Sequence, residues 1–359
     1  VLFNSRPLQY TTMKNLKVLF LSLVAVFATY SGVAQTEVLA VNTLQLVEAS
    51  TVGSPEEVAT TYEATKHPNY PTLHKTVEVN GVNVFYREAG PKDAPTLLLL
   101  HGYPTSSHMF RNLIEDLSDK YHLIAPDYPG YGRSEQPAME DFAYTFDNMA
   151  LIVEGFLEKL EIKKYSIYLM DYGAPVGYRI AAKYPDRVQG LIIQNGNAYE
   201  EGLRDFWIPI KKYWNDYTIE NGKALEGFHA PEGLKWQYTH GVKNIETISP
   251  DNWEVDLRHL QRPGNNTIQL AMFYDYRTNV PLYPSWQKYF RTYQPPVLIV
   301  WGKNDYIFPA EGAFPYKKDL KYVTFHLLDT GHFSLEDDCE EIAVYFPKFL
   351  DVKVSTTIH

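Results

Sequence analysis

The sequence predicts an α/β fold, a mostly parallel sheet flanked by helices with a mainly helical segment inserted late in the sheet. Three observations predict it. Leu97 to Leu100, Leu123 to Ala125, Lys164 to Met170, Val297 to Trp301 and Val323 to Leu328 have the length and apolar content of buried strands. Helical periodicity lies between them. From Asn197 to about Arg291 both patterns give way to a stretch rich in aromatics.

Taken in order, residues 75 to 89 read as a hairpin, Thr76-Val77-Glu78-Val79 and Val82 to Tyr86 joined by Asn80-Gly81, a strong two-residue turn signal. Thr145 to Leu160 is the best helix. Its Met149, Ile152, Val153, Phe156, Leu157 and Leu160 recur at spacings of three and four, the pattern of a face that packs on a sheet. A further helix is expected from about Asp338 to Leu350. The core is therefore assigned to 72–196 and 292–350, the cap to 197–291, and a tail to 351–359. There is no internal repeat, metal-ligand cluster or phosphate loop. Gly130-x-Gly132 lacks the third glycine of a dinucleotide fingerprint and reads as turn geometry.

Tyr168-Leu169-Met170-Asp171-Tyr172-Gly173-Ala174-Pro175 places a carboxylate where a strand turns sharply into a helix. In such an elbow the side chain stands clear of the sheet, and the following N–H groups lie at the positive end of the helix. Gly173 and Ala174 allow close packing, and Pro175 suits a first helical turn, where no donor is needed. No serine lies in a G-x-S-x-G setting, so the nucleophile is an Asp. Asp305, in the turn after Val297 to Trp301, is the candidate acid. His332, in Asp329-Thr330-Gly331-His332-Phe333, is the candidate base. All three lie at the carboxyl ends of strands, where catalytic groups gather in open α/β sheets. Asp171 as a helix N-cap and Asp305 as a loop cap are the alternatives, and the joint occurrence of acid and histidine in order weighs against them. His101 is read as structural and His326 as an ordinary strand residue.

With His101-Gly102-Tyr103-Pro104-Thr105-Ser106-Ser107 and Asp127-Tyr128-Pro129-Gly130-Tyr131-Gly132-Arg133-Ser134, these segments resemble the α/β-hydrolase superfamily, in the branch of haloalkane dehalogenases and epoxide hydrolases, over about residues 74 to 350. The resemblance implies that Asp171 attacks carbon to form an alkyl ester and that His332 activates the water that hydrolyses it. Asp305 orients the histidine, and the backbone N–H groups of Tyr103 and Tyr172 form the oxyanion hole. An aspartate of ordinary pKa, ~3.9, is already ionised at neutral pH. It implies no cofactor, no metal and a small-molecule substrate in a pocket between core and cap.

The chain departs from the dehalogenase pattern at two places. Tyr172 and Tyr103 stand where a Trp and an Asn usually hold the halide, and a phenol differs from an indole in reach and direction. Epoxide opening needs an acid for the ring oxygen, which cap tyrosines supply in that branch. Tyr238 and Tyr283 are the candidates among Tyr213, Tyr217, Tyr238, Tyr274, Tyr276 and Tyr283. The expectation is an exported epoxide hydrolase. A haloalkane dehalogenase and a ligand-binding protein without turnover are the alternatives.

Residues 13 to 34 read as a secretory signal: Met13-Lys14-Asn15-Leu16-Lys17, an apolar run from Val18 to Ala28, and Gly32-Val33-Ala34 before Gln35. The run is short for a membrane span. Val1 to Thr12 read as an upstream extension, and 35–71 as a polar linker. Export to the periplasm or medium is the expected localisation, with no stable membrane span after cleavage. Cleavage removes Arg6, Lys14 and Lys17 and no acid, so the formal charge moves from -10 to -13. Such acidity argues against nucleic acid or anionic membrane as partners. The single cysteine, Cys339, stands among five acidic residues that disfavour its thiolate.

Overall fold

The computed structural model describes residues 70–350. The expected upstream extension, signal and tail, and nearly all of the linker, lie outside the described residues. Eight strands form one sheet: β1 (Leu73–Val79), β2 (Val82–Ala89), β3 (Thr96–Leu100), β4 (His122–Pro126), β5 (Tyr165–Met170), β6 (Val188–Gln194), β7 (Val297–Gly302) and β8 (Val323–Leu328). Their spatial order is β1-β2-β4-β3-β5-β6-β7-β8. β2 runs antiparallel to β1 and β4, and every other pairing is parallel. This is the α/β-hydrolase fold.

Local chemistry accounts for the elements. Asn80 and Gly81 both take positive φ, 51° and 83°, as a primed hairpin turn requires, and Val79 pairs with Val82 across it. β3 through β7 are mostly apolar and, Gln189 apart, buried along their length because both sheet faces are covered, whereas the edge strand β8 is largely half-exposed. The helices before the insertion are α1 (Arg111–Leu117), α2 (Phe146–Lys159) and α3 (Gly173–Lys183). The Thr145 hydroxyl caps α2 by accepting from the Asn148 N–H at 3.2 Å. Met149, Ile152, Val153, Phe156 and Leu157 are buried, as the spacing predicts. Each such side chain stabilises the fold by roughly 1.5–3 kcal/mol.

Between β6 and β7 lie six helices: α4 (Ile208–Asn215), α5 (Ile219–Lys223), α6 (Pro231–Thr239), α7 (Asp251–Leu260), α8 (Asn265–Asp275) and α9 (Tyr283–Tyr293). After β7 come α10 (Tyr316–Asp319), α11 (Ser334–Asp337) and α12 (Cys339–Phe349). The expected last helix is α12, within a residue of its predicted bounds, and the short α11 lies ahead of it, directly after the His332 loop.

Candidate active site

Asp171 follows the last residue of β5, Asp305 lies three residues beyond β7, and His332 four beyond β8. Parallel pairing of β5 with β6, β6 with β7 and β7 with β8 brings these ends to one edge of the sheet. All three side chains are buried.

Asp171 has a φ of 50°, a left-handed conformation that a non-glycine residue holds at a cost of order 1–3 kcal/mol. Its surroundings impose it. A Cβ on Gly173 would meet the Leu100 carbonyl oxygen at 2.2 Å, so only glycine lets α3 start this close to β3. Across the cleft, a Cβ on Gly102 would meet Asp171 Cβ at 2.3 Å, which keeps the oxyanion loop against the nucleophile. The N–H groups of Tyr103 and Tyr172 both donate to Asp171 Oδ1, at 2.7 and 2.5 Å. Oδ2 faces His332 Nε2 at 3.9 Å. One oxygen is held by backbone dipoles and the other is left toward the imidazole.

The His332 Nδ1–H donates to Asp305 Oδ2 at 2.8 Å. Asp305 Oδ1 accepts from the Ile307 N–H at 2.7 Å. Asn195 at the end of β6, with φ 43°, gives a second donor to Oδ2 at 2.8 Å and accepts from the Gly302 N–H at 3.0 Å. Its part in seating the Asp305 carboxylate shows only when β6 and β7 are paired.

Burial disfavours the charged carboxylate and pushes Asp171 up to about 6, against the opposing pull of His332 and the two N–H donors. This corrects the expectation of an unperturbed acid, although the group remains mostly ionised at neutral pH. For His332, burial is the largest influence and works against the imidazolium. The charge and hydrogen bond of Asp305, with the charge of Asp171, outweigh it and raise the pKa above 6.5. His101 is structural in its geometry: Nδ1 donates to the Gly102 carbonyl at 2.9 Å and Nε2 accepts from the Tyr128 N–H at 3.1 Å. His326 lies within β8 and stacks on Tyr345. Burial, then the charge of Asp116, pushes the Cys339 thiol up to about 12.

Of the two expected lid donors, Tyr238 is committed to another group, whereas Tyr283 lies against Tyr276 with its hydroxyl buried and free of a hydrogen-bond partner among the described residues. Tyr238 gives its hydroxyl to Asp256 Oδ2 at 2.5 Å and stacks on Phe333 at 3.9 Å between ring centres. It therefore supports the loop carrying His332. Tyr283 packs on Trp286 and lies beside Tyr276. The phenols that burial and then neighbouring charges, Asp171 among them, keep protonated are Tyr103, Tyr128, Tyr131, Tyr172 and Tyr276. Two are already committed, Tyr103 to the Phe228 carbonyl and His229, Tyr131 to Gln269. The hydroxyls of Tyr128, Tyr172 and Tyr276 are buried and have no hydrogen-bond partner among the described residues. Only Tyr276 of these three belongs to the insertion, and its ring lies 6.0 Å from that of Tyr172. No periodicity distinguished it from its neighbour Tyr274.

No group of three or more His, Cys, Asp or Glu side chains among the described residues is placed to hold a metal ion. No described helix is long and apolar enough to cross a membrane.

Residues 95–338 match the alpha/beta hydrolase fold family. The chain is 45% identical over 275 residues to the uncharacterized hydrolase YNR064C of Saccharomyces cerevisiae, covering 76% of this chain and 94% of that protein. It is 24% identical over 285 residues to epoxide hydrolase 1 of Caenorhabditis elegans, covering 77% and 69%. Among solved structures, haloalkane dehalogenase DbeA from Bradyrhizobium elkani superposes with a TM-score of 0.66 at 22% identity, covering 80% of this chain and 100% of that one. The ordered strand ends, the Asp171 elbow and the match across most of the described residues lead to one conclusion: this chain belongs to the α/β-hydrolase family, has epoxide hydrolases and haloalkane dehalogenases among its relatives, and is a hydrolase.

Proposed function

We propose that the protein is an epoxide hydrolase acting through an alkyl-enzyme ester on Asp171, with the helical insertion as its cap. The observation that carries this reading is the split environment of the Asp171 carboxylate beside phenols with uncommitted hydroxyls. Oδ2 attacks a ring carbon, the C–O bond breaks, and the departing oxygen takes a proton from Tyr276. Tyr283 stands behind Tyr276, close enough to affect its ionisation. In the second step neutral His332 takes a proton from water as the hydroxyl adds to the ester carbon. Negative charge then develops on Oδ1, where the Tyr103 and Tyr172 N–H groups already point. The ester C–O bond breaks, the diol oxygen takes the proton from His332, and the Asp171 carboxylic acid left behind gives its proton to the Tyr276 phenolate, which restores both carboxylate and phenol. The net reaction adds one water to one epoxide.

Phenols in place of the halide-holding indole and amide favour this over dehalogenation, which would share the same ester. Export by the 13–34 signal is part of the proposal, tested by N-terminal sequencing of the secreted form. For the chemistry, the His332→Gln variant is incubated with a mixed panel of epoxides and haloalkanes and its mass is measured intact and by peptide. An adduct on Asp171 equal to a whole epoxide is expected. An adduct equal to a haloalkane less hydrogen halide would replace this reading with dehalogenation. No adduct on a folded variant, with a parent inert toward the panel, would remove both.

A further inference from the structure

Behind the loop that carries Tyr103 lies a second cavity of about 270 Å³, bordered by Arg87, His108, Arg111, Asp127, Arg133 and His259. Arg87 comes from β2, His108 and Arg111 from the turn into α1, Asp127 and Arg133 from the loop after β4, and His259 from α7 of the insertion. Positive groups thus converge from core and insertion on one small space. It shares no residue with the triad.

We propose that this cavity is a binding site for a tetrahedral oxyanion of the sulfate or phosphate class. Arg111 is paired with Glu336, but three other side chains keep uncommitted nitrogens. The Arg133 guanidinium has no hydrogen-bond or ion-pair partner among the described residues, and its backbone N–H alone is used, on Asp127. Arg87 spends Nε on the Ser107 hydroxyl and Nη1 on His74, leaving Nη2. His108 Nε2 is buried with no partner among the described residues. A buried polar atom left in that condition calls for a ligand or solvent partner.

The nearby acids offset these charges only in part, the Asp127 carboxylate acting on Arg87 and His259. Asp127 has both oxygens occupied, Oδ1 by the Ser107 N–H and Oδ2 by the Arg133 N–H. Glu336, from α11, is committed to Arg111 in a two-pronged pair and to Asn252. Donors arriving from β2, the turn before α1, the loop after β4 and α7 surround a tetrahedral ion. A planar carboxylate is better met by one guanidinium fork.

The histidines record the same excess. Burial first, then the surrounding guanidiniums, push His108 and His259 down to about 4. The charged groups acting on them are Arg87, Arg111, Arg133, Arg258 and Arg262, with Asp127 opposing them at His259, and the two imidazoles repel each other. His74 faces Arg87 from β1. A bound dianion reverses the field, so the imidazoles take up protons on binding and affinity rises as pH falls. Because the ligand contacts β2, the loop after β4 and α7 together, it also fastens the insertion to the core.

Titration calorimetry and thermal melts of the full chain test this with sodium sulfate, against sodium chloride at matched ionic strength. Sulfate keeps its charge across the range, so any pH dependence belongs to the protein. Saturable one-site binding, a rise in melting temperature that chloride does not reproduce, and about tenfold tighter binding at about pH 5.5 than at about pH 7.5 are expected. Proton uptake is read from heats in two buffers of different ionisation enthalpy. Arg133→Gln, an exposed residue, should weaken sulfate at least about tenfold and leave the sulfate-free melting temperature unchanged. A phosphate monoester binding more tightly than inorganic phosphate would identify an ester head as occupant, and the reverse order the free ion. Sulfate behaving as chloride does, or Arg133→Gln binding as the parent does, would overturn the proposal.

Discussion

The strand ends and the helical insertion both carry groups of the proposed site, but they are positioned by different physics. Asp171, Asp305 and His332 each sit within four residues of a parallel strand, and the register of β5 to β8 sets their separation. The insertion's tyrosines are carried on helices whose placement depends on long-range packing. Tyr276 meets Tyr172, while Tyr238 turns to Asp256. A backbone-registered group can be located from its strand; a packing-registered one cannot.

The strongest way to break this contrast is at the strand ends. Asp171→Asn should lower turnover by at least about 10⁴-fold, as loss of a nucleophile does in other hydrolases, with no mass adduct. Asp305→Asn removes the charge that favours the His332 imidazolium and its tautomer. It should lower turnover by about 10³- to 10⁴-fold and let the Asp171 ester accumulate, which separates it from the Asp171 variant in one mass measurement.

The insertion gives smaller effects of two kinds. Tyr276→Phe should slow ester formation on epoxides by about 10²-fold, the usual scale of a lost general acid, with little change in melting temperature. Tyr238→Phe should do the opposite. It leaves the buried Asp256 carboxyl without its donor and should cost about 1–3 kcal/mol of stability by chemical denaturation, with a smaller loss of rate. Equal rate losses in the two variants would end the assignment of Tyr276.

The smallest effect is in pH dependence. Burial raises Asp256 to about 7, above the unfolded value of ~3.9. The native state therefore binds the proton more tightly than the unfolded state, and this contribution to stability is lost as pH rises from about 4 to about 7. Asp256→Asn keeps an acceptor for Tyr238 and should flatten the stability profile over that window, measured by denaturant melts at several pH values. In the same range, activity should climb with pH, first as Asp171 ionises near 6 and then as His332 loses its proton above 6.5.

Much of this was legible beforehand. β8 has the bounds its apolar run predicts, the hairpin turns at Asn80-Gly81, and α2 begins after its Thr145 cap. These features rest on neighbours in the chain. The role of Asn195 was not legible because its partners, Gly302 at the end of β7 and Asp305 just beyond it, lie more than a hundred residues away. The short helix α11 ahead of α12 was also not expected, since four residues are too few for an apolar period to show.

The sequence by itself determined the sheet, the order of nucleophile, acid and base, and the absence of a serine elbow, because turn chemistry and strand periodicity are local properties. Only the tertiary structure decided which insertion tyrosine lies against Tyr172, that Asp171 is buried enough for its pKa to be pushed up to about 6, and that three arginines and two histidines enclose one cavity. Those outcomes depend on burial and on distances between residues far apart in the chain, which no local pattern encodes.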